Sequence, residues 1–103
     1  MSSVDFVEIS INKIGEVLNI LIDVKKNSIL INNQYKKIEQ EKIDELFRII
    51  RLWKNEYSNY KIIDSEKFTI KIVNKNSVDI ITGSGKYPDN YTVFKNWIEE
   101  VYE

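Results

Sequence analysis

The residues of this chain whose types and spacing come nearest to chemistry are Gly83-Ser84-Gly85-Lys86, a fragment of a phosphate-binding loop. The complete motif needs a further glycine where Ile80 stands and a serine or threonine where Tyr87 stands. It also needs a helix that opens at the lysine, so that backbone N–H groups cradle the phosphates. Pro88 follows within two residues instead, so neither the metal-binding hydroxyl nor the helix end is in place. The glycines are expected to end a strand in a bulge or tight bend.

The same segment reads better as a recognition surface. It is the one Gly/Pro-rich stretch of the chain, and it interleaves charged and aromatic groups. Ser84, Lys86, Tyr87, Asp89 and Tyr91 are the candidate binding residues, because tyrosine supplies a large contact area at low entropic cost. The competing expectation, favoured for Tyr91, is that the tyrosines pack against the sheet edge and the last helix.

Other routes to catalysis close early. There is no histidine and no cysteine, which leaves the chain without imidazole bases, thiol nucleophiles, disulfides or Cys-ligated zinc. The carboxylate pairs Glu41 with Glu45, Asp44 with Glu45 and Glu99 with Glu103 fall where amphipathic helices meet solvent. Glu8, Asp23 and Asp79 lie on strands and are expected on a solvated sheet face. A catalytic carboxyl needs a pocket that shifts its pKa, and nothing in the sequence buries one. No catalytic residue, metal or cofactor is expected.

Composition bounds the rest. A chain of 103 residues is expected to form one domain, and 43% hydrophobic with 12% aromatic residues supplies a core despite 30% charged ones. The net charge of −1 gives no field to attract nucleic acid. Residues 51–75 hold six bases and three acids, a possible basic strip around Lys61, Lys67, Lys71 and Lys75. The strands lack the aromatic pattern that single-stranded nucleic acid stacks on. Eighteen Ile, thirteen Lys and eleven Asn against no Ala, one Pro and two Arg describe an AT-rich gene of bacterial type. No basic stretch or apolar run marks the N-terminus as a signal peptide, and no apolar run approaches a membrane span. A cytoplasmic protein is expected.

The elements that would position these groups follow from periodicity. Val7, Ile9 and Ile11 alternate with Phe6, Glu8, Ser10 and Asn12, the pattern of a half-buried strand. A turn at Asn12-Lys13-Ile14-Gly15 leads to a second strand with Leu18, Ile20, Ile22 and Val24 on its apolar face. Lys25-Lys26-Asn27-Ser28 turns into a third strand at Ile29-Leu30-Ile31, ended by Asn32-Asn33-Gln34. From about Glu39 the spacing of Ile43, Leu46, Phe47, Ile50, Trp53 and Tyr57 predicts an amphipathic helix reaching to near Ser58. After a polar connector with Asn59 and Asp64, Phe68, Ile70 and Ile72 face a strand, and Val78, Ile80 and Thr82 face its return. Phe94, Trp97, Ile98 and Val101 give a last helix, with Asp89 or Asn90 as its N-cap. Trp53 and Trp97 are expected in the core.

Val24 to Ile31 and Val73 to Ile80 are identical at five of eight positions, and the two helical stripes align at nearly the same offset. The expected fold is therefore α+β, in two layers. It has an antiparallel sheet of about five strands with two helices on one face, in the order β-β-β-α-β-β-α, with a possible ββα repeat.

The functional expectation is a non-enzymatic protein-binding domain, most concretely a small inhibitor, immunity or anti-defence protein of mobile-element or phage type that acts on a larger protein. The alternative is a structural subunit or homo-oligomer, for which Val17 and Leu21 on the polar side of the second strand would supply an exposed apolar patch. A single-stranded nucleic-acid-binding module ranks third.

Overall fold

The computed structural model describes residues 4–13, 15–59 and 66–102. Ile14, Lys61, Asp64 and Glu103, named above, lie outside them. Among the described residues the class is α+β, with two helices, but the sheet has seven strands and is mixed. In chain order the elements are β1 (Val4–Lys13), β2 (Glu16–Asp23), β3 (Ser28–Ile31), β4 (Gln34–Lys37), α1 (Gln40–Ile50), β5 (Glu56–Ser58), β6 (Lys67–Asn74), β7 (Val78–Ser84) and α2 (Tyr91–Tyr102). Across the sheet the order is β4-β3-β2-β1-β6-β7-β5, antiparallel except that β5 runs parallel to β7.

Both additional strands correct the expected count of five. β4 is a polar edge strand exposed at every position, so it carries no apolar alternation to read. It forms because Asn32 and Asn33 both take positive φ, 47° and 72°, as a two-residue hairpin turn of mirror type requires. β5 is three residues long, where the spacing predicts helix. Helix α1 stops at Ile50, and Trp53 N donates to the Ile50 carbonyl at 3.0 Å in a turn. Beyond it the Asn55 carbonyl accepts from Thr82 N at 2.9 Å and the Asn55 amide donates to the Ile80 carbonyl at 3.1 Å, fastening the segment to the edge of β7.

β1 is the spine, paired with β2 on one side and β6 on the other. Registers align Ile31, Ile20, Ile9, Ile70 and Ile81 in one row across five strands, all buried. β-Branched side chains suit this pleated, packed surface, and each such burial stabilises by roughly 1.5–3 kcal/mol. Ile43, Leu46, Ile49 and Ile50 of α1 join Phe94, Trp97, Ile98 and Val101 of α2 in the same core cluster, so both helices cover one face, as expected. The indole of Trp97 donates to the Lys42 carbonyl at 2.9 Å and ties the helices together. A bulge between Val4 and Phe6 turns Val4 into the core while Phe6 stays outside.

The apparent repeat does not survive as a structural one. The loops of the β2–β3 and β6–β7 hairpins span 24–27 and 74–77, one residue out of step with the sequence match. A one-residue slip inverts the faces: Ile29 and Ile31 are buried, whereas the matched Val78 and Ile80 are exposed. The inward face of β7 is Asp79, Ile81 and Gly83, not Val78, Ile80 and Thr82. Asp79 therefore lies on the helix side, exposed at the rim, while Glu8 and Asp23 do lie on the open face.

Candidate binding site

β7 delivers the Gly-rich segment to the corner where β5, β6 and α2 meet. Ser84, half-buried at its end, pairs with Ser58 of β5 and Lys67 of β6. Gly83 is inside the strand, not at a bulge. It stands directly opposite Phe68, and a Cβ on it would lie 2.1 Å from Phe68 Cε1. The bend comes at Gly85, whose φ of +75° is the left-handed region that glycine enters freely.

After the bend Lys86 and Asp89 are exposed, Pro88 is buried, and Tyr87 and Tyr91 are half-buried. The two tyrosine rings stack with centroids 4.6 Å apart, and both lean on Phe68, at 6.2 and 5.1 Å. Trp53 and Phe94 close the cluster from the other side.

Glu66, to which the sequence pattern assigns no role, fastens this corner. The Tyr87 hydroxyl donates to its carbonyl at 2.5 Å, the Tyr91 hydroxyl donates to its carboxylate, and Lys95 Nζ sits 2.7 Å from the other carboxylate oxygen. Burial pushes the Glu66 carboxyl up, but the bonds from Lys95 and Tyr91 outweigh it and hold the group below the usual glutamate range. Burial first, then the bond to Glu66, pushes the Tyr91 hydroxyl well above its ordinary value. Tyr91 is thus a fixed neutral donor, the opposite of a tyrosine tuned to give up its proton in catalysis. Lys95 could have been found in the sequence, one helical turn after Tyr91 and with its ammonium 5.8 Å from that ring's centroid. Glu66 gave no signal, because its partners lie 21 to 29 residues away.

Asn90 precedes α2, and its carbonyl accepts from Val93 N and Phe94 N at 3.0 and 3.2 Å, as an N-cap's does. Its side chain does other work. Oδ1 accepts from the Trp53 indole at 2.6 Å and Nδ2 donates to the Ile49 carbonyl at 2.9 Å, one of the carbonyls that the end of α1 leaves open. Asn90→Ala strands the indole and that carbonyl together. It is expected to cost about 1.5 kcal/mol, read as a lower midpoint in urea with an unchanged slope.

What remains for a ligand is an open groove of about 420 Å³ between Lys54, Glu56, Tyr57 and Ser58 on one side and Lys86, Tyr87, Pro88 and Asp89 on the other. The structure therefore brings Lys86, Asp89 and the edge of Tyr87 to one groove, and commits the hydroxyls of Tyr87 and Tyr91 to internal bonds. Among the described residues no group of three or more acidic side chains is placed to hold a metal ion, and no helix is long and apolar enough to cross a membrane. No protein-family model matches the chain, and no curated protein matches it.

Proposed function

We propose that the chain is a non-enzymatic protein-binding domain acting by surface complementarity on a larger protein, in its most concrete form a small inhibitor, immunity or anti-defence protein of mobile-element or phage kind. The observation that carries this reading is the pinned loop. Three contacts to Glu66 and the packing of both tyrosine rings on Phe68 hold the segment after Gly85, so Lys86 and Asp89 are presented without the ordering cost that a free loop pays on binding. Opposite charges flank the groove on both walls, Lys54 and Glu56 facing Lys86 and Asp89. That arrangement suits recognition of a patterned protein surface, where charge sets register and partner choice. The AT-rich composition motivates the mobile-element form.

The test is a complex rebuilt from purified components after capture on the immobilised chain and identification by mass spectrometry. Reversing both loop charges, Lys86→Glu with Asp89→Lys, is expected to weaken that complex by about tenfold or more and to leave the melting temperature unchanged. A complex that forms with equal affinity on the reversed variant removes the loop as the contact surface.

A further inference from the structure

The face of the sheet away from the helices carries large apolar side chains in the open. Phe6, Leu21, Tyr35, Val78 and Ile80 are exposed, Val78 at 53% and Ile80 at 44%. Register places them in order. One row crosses six strands as Tyr35, Leu30, Leu21, Glu8, Lys71 and Ile80. In the next row Phe6 stands opposite Val73, which stands opposite Val78. Glu8 and Lys71 are neighbours at the centre, yet no ion pair joins either to any described residue.

This pattern is complementary to itself. A two-fold axis parallel to the strands, between β1 and β6, lays each position over its mirror position across that line. Glu8 of one copy then meets Lys71 of the other, twice. Leu21 meets Ile80, and Phe6 meets Val73. At the rim Val78 meets Asp23, whose carboxylate is turned to its own hairpin, where it accepts from Lys26 N at 3.1 Å. We propose that the occupant of this face is a second copy of the chain, the two sheets stacking about 10 Å apart as in a β-sandwich.

The four strands that this axis lays over one another, β2, β1, β6 and β7, hold seven to ten residues each. They make a footprint of roughly 19 by 26 Å, a small interface below the about 800 Å² per partner of the standard size. The loop groove is lined by β5 and residues 86–89, beyond β7, and neither Leu21 nor Ile80 lines it, so different variants read the two surfaces.

The test uses sedimentation of the full chain from micromolar to submillimolar concentration, with far-UV circular dichroism as the check on folding. The wild type is expected to be a dimer. Leu21→Glu and Ile80→Lys are each expected to shift it to monomer, with dissociation at least about tenfold easier. Mixed in equal amounts, the two variants are expected to recover a heterodimer, because the carboxylate introduced in one chain then faces the ammonium introduced in the other. Leu21 and Ile80 are separated by two strands within one chain, so no intramolecular pairing mimics that recovery. A wild type that stays monomeric throughout overturns the proposal, as does a dimer that both single variants leave intact. Loss of the dimer without recovery on mixing overturns the two-fold placed between β1 and β6.

Discussion

Gly83→Ala is expected to destabilise the fold by about 3 kcal/mol, a loss of roughly 12–20 °C in melting temperature for a domain of this size. The cause is space, not backbone freedom. The alanine methyl would lie 2.1, 2.7 and 2.8 Å from three carbons of the Phe68 ring, well inside contact. A flexible side chain could swing away, but Phe68 is buried, with Trp53, Tyr87, Tyr91 and Phe94 around it. An aromatic ring filling the vacancy over a cross-strand glycine is a device that sheets use to offset glycine's poor strand character. The check is a double-mutant cycle by thermal melting. Phe68→Leu alone costs stability through lost packing, yet combined with Gly83→Ala it should return part of the alanine's cost, because the smaller side chain vacates the space. Strictly additive costs would show that Gly83 is needed for some reason other than Phe68.

That glycine also explains why one face of β7 was illegible. Ile80 and Ile81 are adjacent, so hydrophobicity alone allows either parity for the strand. The decisive inward position, Gly83, has no side chain to register. The Val-x-Lys-Asn-Ser match with the first hairpin points to the same wrong parity, because it runs one residue out of step with the turns and sets exposed Val78 and Ile80 against buried Ile29 and Ile31. By contrast β1, β2 and the first half of β6 are legible because less and more exposed residues alternate along them, and the stripe of α2 matches its buried residues one for one. The spacing predicts a longer helix than α1, which ends at Ile50. Trp53 continues its stripe, but the indole finds its hydrogen-bond partner in Asn90 and its packing on Phe68 and Phe94 only if the helix has already ended. Tertiary bonds of this kind leave no trace in local spacing.

The segment proposed for binding stands out in the sequence by its glycines and proline, and its charged residues Lys86 and Asp89 are exposed. Its tyrosines were visible as residue types, but their duties were not, because those are set by Glu66 from a polar stretch with no periodicity. Val17 and Leu21 are each exposed. The row that joins Leu21 to Ile80, with Phe6 and Val78 beside it, appears only once strand order brings β6 and β7 beside β1.

Glu66 sets the second large effect. Glu66→Ala leaves the Lys95 ammonium and the Tyr91 hydroxyl without their shared acceptor, and is expected to cost about 2 kcal/mol near neutral pH. The pH dependence has a definite sign. The Glu66 carboxyl is held below its unfolded value of about 4.3, so its contribution is present above that pH and is lost as pH falls through the folded pKa. The Tyr91 hydroxyl is held above its unfolded value of about 10. Its contribution is complete below that pH and drains away as the solution becomes more alkaline. Melting temperature followed by tryptophan fluorescence across the acid and alkaline limbs separates the two groups. Glu66→Gln should flatten the acid limb while keeping an acceptor for Tyr91. Tyr91→Phe should flatten the alkaline limb and move the acid limb to higher pH, because Glu66 loses one of the two bonds that offset its burial. An acid limb unmoved by Tyr91→Phe would mean that Lys95 alone holds the carboxylate, and that the loop is fastened by packing on Phe68 instead of by charge.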